Sequence, residues 1–241
     1  MQINEAIIDL KIDDVVLERI GENFETKYFK FVGMKLDEYM SWKYHLEHVC
    51  SKVSIGNNIL NRTKNFLPIH IRKLLYSTLV KSQIIYGILL YGGSSNPGMK
   101  RLEILQKKCI RNIANSGFRS HTNPNFLKLN LLKIKDIYEL ESMNFMYKYA
   151  NDLHPNSLSG MFQPLSNNNR TFSFKTSIVK GRSLKTFPSS FLPQLWNNLN
   201  INTKTLNTLN SFKKKVKKDL MAKYEGFLCK RHNCISCKNQ N

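Results

Sequence analysis

Between Asp152 and Asp219 the sequence contains no acidic residue, although that stretch carries eleven lysines and arginines and ends in "SFKKKVKK". Nor is there a run of about 18 or more apolar residues, the length a membrane-spanning helix needs. The best candidate, "LLYSTLVKSQIIYGILLYGG", is interrupted by Lys81, Ser82 and Gln83, so no membrane span is expected. Met1 is followed by Gln2, Asn4 and Glu5, without a basic segment or an apolar core behind it, and no secretory signal is expected. Cysteine is sparse at five residues, and Cys50 and Cys109 stand alone. That argues against a disulfide framework and for a reducing, intracellular compartment. The glycine-rich piece "YGGSSNPG" lacks the Gly-Lys-Ser/Thr ending of a phosphate loop. His45, His48, His70, His121 and His154 are dispersed, with no serine or cysteine at a recognisable catalytic spacing. No hydrolase or kinase signature is present.

What the sequence does have is positive charge. Lysine and arginine number 37 against 17 acids, a formal net charge of +20 with a pI near 9.8, and seven of the acids precede residue 26. A field of this size favours a polyanionic partner, nucleic acid first. An anionic membrane surface would also be attracted, and the plain alternative is a solvated basic surface in a chain rich in Lys and Asn. With 41% hydrophobic and 11% aromatic residues the chain is expected to fold.

Periodicity divides the chain at residues 1–38, 39–160, 161–225 and 226–241. "AIIDLKIDDVVLERI" holds two apolar runs around a polar "KIDD" turn and predicts a hairpin; "YFKFVGMKL" predicts a third strand, closed by Gly33 and the Asp37-Glu38 pair. Three strands are few for an independent sheet, so they read as the edge of a larger one lying upstream of Met1. Ser41 is expected to cap a helix carrying Trp42, Leu46, Val49, Val53 and Leu60 to about Phe66. Pro68 opens a second, with Ile71, Leu74, Leu75, Thr78, Leu79 and Ile85 on one face, broken at Gly92-Gly93. Asn96-Pro97 starts a third, with Leu102, Leu105, Cys109, Ile110 and Ile113 inward. A short helix and a longer one follow, the latter capped at Asp136, carrying Ile137, Leu140, Phe145 and Tyr149, and stopped at His154-Pro155. Residues beyond 160 read as loop and short strands around a buried Trp196, then a basic helix, "LNSFKKKVKKDLMAKY". The fold class is therefore mainly α: a small N-terminal β hairpin or sheet edge, a helical bundle and an irregular basic C-terminal region.

Five segments, in order, carry a resemblance. "FKFVGMKLDEYMSWKYHLEHVCSKV" resembles the palm-to-thumb junction of LINE-type, jockey-like non-LTR retrotransposon reverse transcriptases. "LLYSTLVKSQIIYGILLYGG" and "LEILQKKCIRNIANSGFRSHTNPNFLKLNLLKIKDIYELESMNFMYKYANDLHP" are similar to the thumb region that follows. "LPQLWNNLN" and "LNSFKKKVKKDL" are similar to its usual ending. The likeness runs from about Lys11 to Leu220. It implies that residues 1–38 are the remnant of a polymerase palm, 39–160 a thumb-like domain, and 161–225 an irregular segment with a basic helix. The remaining palm and fingers would belong to the same polyprotein.

The resemblance also bears on catalysis. Such polymerases hold two divalent metals on palm carboxylates, in an aromatic-x-Asp-Asp strand and an earlier Asp. Here the adjacent pair is Asp13-Asp14, Lys11 takes the aromatic position, and no earlier motif-bearing Asp occurs, so these aspartates read as turn residues. No catalytic residue, metal or cofactor is expected in this chain, whereas the intact polymerase would use Mg²⁺. What remains is a surface for template RNA and the RNA/DNA hybrid. Its candidates are Lys43, Lys52, Arg62, Lys64, Arg72, Lys73, Lys107, Lys108, Arg111, Arg119, Lys213, Lys214 and Lys215. Several of these are equally consistent with solvated positions on amphipathic helices. Cys229, His232, Cys234 and Cys237 have the ligand types for zinc but no recognisable knuckle spacing, and read as a terminal tail with free thiols. Two other readings stay open: a standalone, sequence-nonspecific nucleic-acid-binding or scaffold protein derived from the element, or a decayed element without a selected function. Nuclear action is what the resemblance implies; the residues themselves give only an intracellular setting, nucleus or cytoplasm.

Overall fold

The computed structural model describes residues 11–12, 15–16, 20–21, 24–165, 173–176 and 188–224. The chain forms two compact units, Met1–His45 and Leu46–Asn241. In the first, strands β1 (Lys11–Ile12) and β2 (Val15–Val16) pair antiparallel, Ile12 opposite Val15. The expected hairpin is therefore formed, with Lys11 in the strand; Asp13 and Asp14 lie outside the described residues. The second element differs from expectation. "YFKFVGMKL" is not one strand but a second hairpin, β3 (Phe29–Phe31) against β4 (Met34–Leu36), with Phe31 opposite Met34. Its two turn residues, Val32 (φ 45°) and Gly33 (φ 78°), both lie in the left-handed region that a two-residue hairpin of this twist requires. Gly33 takes that conformation freely, whereas the β-branched Val32 pays about 1–2 kcal/mol for it.

Downstream of β4, Asp37 organises the chain in place of the expected Ser41 cap. Its carboxylate accepts hydrogen bonds from the Ser41 N–H (2.8 Å) and the Trp42 N–H (3.0 Å), while the Ser41 hydroxyl accepts a long bond from Lys43 N (3.4 Å). Helix α1 (Lys43–Thr63) follows.

In the second unit, α1 buries Leu46, Val49, Val53, Gly56 and Leu60, a run of three- and four-residue steps that makes one helical face. Gly56 has a packing reason: a Cβ there would lie 2.8 Å from Val80 Cγ2. Helix α2 (Ile69–Tyr76) runs without a break through a π-turn (Ser77–Lys81) into α3 (Ser82–Ile85). Its buried face is not the predicted one. Arg72, Tyr76, Val80 and Ile84 point inward, and Leu74 is 60% exposed. Four-residue spacing drifts around an ordinary α-helix, and the wider π-turn offsets that drift so that every fourth residue stays inside. The break comes earlier than predicted too, at Gly87 (φ 67°), before α4 (Ile88–Tyr91).

Helix α5 (Pro97–Ala114) starts as expected, with the Asn96 side chain accepting from Gly98 N at 2.8 Å, and buries Leu102, Leu105, Cys109, Ile110 and Ile113. After α6 (Asn123–Leu129), α7 (Ile134–Ala150) is the central helix, packed by α3, α4, α8 and α10. Its burial on several sides explains why its sequence shows no clean stripe. Asp136 sits inside its first turn, not at its cap, and its carboxylate instead accepts from the Tyr224 hydroxyl. A short 3₁₀ turn follows at Asn156–Leu158.

The segment read as loop and strand around Trp196 is helix α8 (Pro188–Asn197), with Pro193 inside it; Trp196 itself is buried as expected. Leu192, Pro193 and Trp196 make its inward face, and Phe191 stacks on Tyr138 of α7 at 5.1 Å. The Asn197 carboxamide binds both the N–H and the C=O of Phe174, at 3.0 and 2.8 Å, as a β-partner would. A short α9 (Ile201–Lys204) and the basic α10 (Leu209–Ala222) complete the unit, the latter burying Phe212, Val216 and Leu220.

One side chain ties these helices together. The carboxamide of Gln106 on α5 is 2% exposed. It donates to the Tyr76 hydroxyl and to the Leu132 carbonyl, both at 2.9 Å, and accepts from Ile134 N at 3.1 Å. Replacing it with a leucine of similar volume leaves three buried polar groups without partners. Gln106→Leu is expected to lower the unfolding free energy by roughly 3 kcal/mol or more, read as a reduced denaturation midpoint in urea with the slope unchanged.

Candidate nucleic-acid interface

The basic residues fall into those that the fold presents and those that it uses internally. On α1 the outer face carries Lys52, Ile55, Ile59 and Arg62, all exposed and spaced by three and four residues, so two cations flank two exposed isoleucines along one stripe. Lys64 is half-buried at the end of the helix, two residues before the 85%-exposed Phe66. At the tip of the α5–α6 loop, Arg119 is exposed beside Phe118, itself 77% exposed. On α10, Lys214 and Lys218 are exposed four residues apart, and Lys213 and Lys217 are half-buried along the neighbouring flank.

Of the other predicted candidates, Arg72 and Arg111 serve the bundle, whereas Lys43 and Lys215 are exposed and engaged by near neighbours in sequence. Arg72 is buried, and its guanidinium donates to the Asn112 carbonyl at 3.0 Å; Asn112 in turn donates to Asn57 at 2.9 Å, a chain that joins α2, α5 and α1. The Arg111 Nε donates to the Ser120 carbonyl at 3.0 Å and fixes the loop behind α5. Lys215 is paired with Asp219 one turn on, at 2.9 Å. Lys43 belongs to the first unit, where its Nζ lies 5.3 Å from the Tyr44 ring centroid.

Proximity appears in two places. Lys107 is near Lys133, whose ammonium lies 4.2 Å from the Tyr224 ring centroid; Lys108, its neighbour on α5, is half-buried. Burial lowers the Lys133 pKa, Asp136 opposes that effect, and Lys107 adds to it. The second cluster joins the predicted Lys73 to Lys81 and Lys217, neither of which was a candidate from sequence. Lys81 lies in an apolar run and Lys217 in a run of five lysines interrupted by a valine. Sequence offers no way to know that the π-turn and α10 meet. Lys204, also missed, donates to the Asn197 carbonyl at 3.2 Å with its Nζ 5.8 Å from the Trp196 centroid, and so supports α8.

No metal-ligand cluster is assembled among the described residues. No group of three His, Cys, Asp or Glu side chains converges there. Burial pushes the Cys109 thiol up to about 12 and raises Cys50, so neither is a thiolate near neutrality. Cys229, His232, Cys234 and Cys237, like Asp13 and Asp14, lie outside the described residues. No helix among the described residues is long and apolar enough to cross a membrane. Such an arrangement can attract and steady a polyanion through phosphate contacts, with exposed apolar and aromatic groups set among the cations.

Known proteins similar to this chain are RNA-directed DNA polymerases of mobile elements. The "RNA-directed DNA polymerase from mobile element jockey" of Drosophila funebris is 26% identical over 137 residues, which are 56% of this chain and 15% of that protein. The protein of the same description from Drosophila melanogaster is 22% identical over 134 residues, 54% of this chain and 14% of its own length. The chain thus spans about a seventh of the length of these curated relatives, and the similarity supports a distant, reverse-transcriptase-like relationship. No family model matches the chain, and no solved structure does.

The division between presented and internal arginines can be tested directly. Arg62→Gln is expected to weaken binding to an RNA–DNA hybrid while leaving stability within about 0.5 kcal/mol. Arg72→Leu is expected to cost about 2 kcal/mol of stability and to leave the salt dependence of binding unchanged. Anisotropy titrations paired with urea melts of both variants separate the two roles.

Proposed function

We propose that this chain is the thumb-side, C-terminal part of a jockey-like non-LTR retrotransposon reverse transcriptase, and that it holds the template RNA and the RNA/DNA hybrid. The observation that carries the reading is the coincidence of two independent facts. The chain is distantly similar to RNA-directed DNA polymerases of mobile elements. Its folded unit is also a helical bundle that turns Lys52, Arg62, Arg119, Lys214 and Lys218 to solvent, in a chain of net charge +20.

The first unit, with its two short hairpins, is then the edge of the palm, and the second is the thumb with its basic closing helix. A hybrid duplex offers phosphates and 2′-hydroxyls at regular spacing across a wide, shallow minor groove. A helix face of the α1 kind suits that surface. Its isoleucines would cover sugar edges while Lys52 and Arg62 at either end reach the backbones. Each cation set against a phosphate releases a condensed counterion, so many modest contacts add to a useful affinity without reading base sequence.

Catalysis in this reading belongs to palm residues outside the chain, where Mg²⁺ would be held by the catalytic carboxylates. The division of labour follows from the chemistry. Positioning a duplex needs distributed cations, whereas activating a primer hydroxyl needs carboxylates and metal at one point.

Binding of an RNA–DNA hybrid is expected to weaken steeply with salt, with log Kobs falling against log salt at a slope of about −3 to −5, and to be insensitive to base sequence. A flat salt response would remove the polyanion reading. In a primer-extension assay with Mg²⁺, the purified chain is expected to add no nucleotides; incorporation that survives control preparations would show that the chain carries a catalytic site of its own.

A further inference from the structure

We propose that a small cavity between the π-turn, the α6–α7 connection and α10 receives a single phosphate group of a nucleic-acid strand, held by Lys81 and Lys217. The inference rests on the nucleic-acid reading above and gives it a particular contact.

The cavity measures about 70 Å³, and its lining includes Lys81, Lys217, Tyr76, Asn130, Leu140 and Glu141. That is room for an oxyanion or a few waters. The three lysines come from two distant parts of the chain. Lys73 and Lys81 stand eight residues apart on the continuous α2–π–α3 helix, on either side of Ser77, and Lys217 arrives from α10. All three are half-buried. Lys217 is oriented by its own hydrogen bond, donating from Nζ to the Asn130 carbonyl at 2.8 Å. That leaves its remaining N–H groups for a ligand. Burial first, and then the nearby ammonium groups of Lys81 and Lys73, hold the Lys217 pKa below the usual lysine range.

The chemistry of the lining selects the ligand. Glu141 is the one carboxylate on it, set against two lining ammonium groups and a third close by. An anion entering here relieves repulsion that the fold otherwise sustains, and a phosphate has enough oxygens to meet several donors at once. The π-turn is part of the device, because it keeps Lys81 in phase with Lys73 along the helix. Outward from the cavity, the α10 surface continues as Lys213, Lys214 and Lys218, a path along which the rest of a strand can lie.

The test uses the full chain, with fluorescence anisotropy on a short RNA–DNA hybrid across a salt series and ³¹P NMR with inorganic phosphate. Lys81→Gln is the primary variant, because no bond of Lys81 to the fold is at stake; Lys148→Gln, on the exposed side of α7, is its charge-matched control. The expected result is that Lys81→Gln weakens hybrid binding roughly tenfold and makes the salt slope shallower by about one, that Lys148→Gln does neither, and that Lys81→Arg retains binding. Equal effects of Lys81→Gln and Lys148→Gln would overturn the cavity while leaving general nucleic-acid binding intact. If the hybrid does not bind but inorganic phosphate does, and Lys81→Gln abolishes it, the phosphate site stands, free phosphate is its source, and the nucleic-acid reading falls. Binding of neither probe overturns both.

Discussion

A single buried carboxamide sets the arrangement of the helical unit. Gln106 has one acceptor and two donor hydrogens in fixed planar geometry, and all are used inside the bundle. Hydrophobic contacts between helices tolerate sliding, because one leucine packs nearly as well a fraction of a turn away. A carboxamide in a dry interior does not, since any displacement strands three polar groups at once. Tyr76 on α2, Gln106 on α5 and the chain entering α7 therefore have one mutual register. The Tyr224 hydroxyl repeats the device at the other end of the chain. It receives the Lys133 N–H at 3.0 Å and donates to the Asp136 carboxylate, which locks the end of the basic helix region to the start of α7.

That register decides which charges meet. α10 lies against α7 through Phe212, whose ring is 4.6 Å from that of Tyr147. With α10 so placed, Lys217 is brought to the lysines of α2 and the π-turn, and Lys214 and Lys218 are turned outward. The positive field of the chain is thus partly organised by neutral polar groups that bind nothing themselves. It also explains why the arginines divide as they do. Arg72 faces the Asn112 carbonyl, where a fixed planar donor is useful, while Arg62 one helix earlier has no such partner and stays in water.

The parts of this fold legible in the sequence were those with one clean period and a clear punctuation mark. α1 and α5 are of that kind, and Asn96-Pro97 marked the start of α5 correctly. Legibility failed where a residue acts through something the local pattern does not contain. Val32-Gly33 makes a turn only because β3 and β4 pair across it. The inward ridge at Arg72, Tyr76, Val80 and Ile84 follows from the π-turn, which no periodicity of 3.6 announces. α8 was obscured by Pro193 and by the asparagines around it, yet Pro193 and Trp196 are both on its buried face. Within the candidate interface, the residue types and the overall sign were readable. Which cations are exposed, and which are hydrogen-bonded to carbonyls, depended on neighbours far along the chain, 40 positions away for Arg72 and Asn112 and 87 for Lys217 and Asn130.

The π-turn at Ser77–Lys81 has one more consequence, and it concerns descent. A helix that closes its hydrogen bonds one residue late holds one residue more than an α-helix joining the same two ends. A single-residue insertion that a helix absorbs without moving either flank would leave such a turn. Homologues that keep an uninterrupted helix here should align to this chain only across a gap of one codon between positions 77 and 81. An alignment that forbids the gap would pair every downstream core position with the wrong neighbour. Part of the low identity to distant relatives in such a region can therefore be a matter of bookkeeping between two helix geometries, with the buried chemistry on either side unchanged.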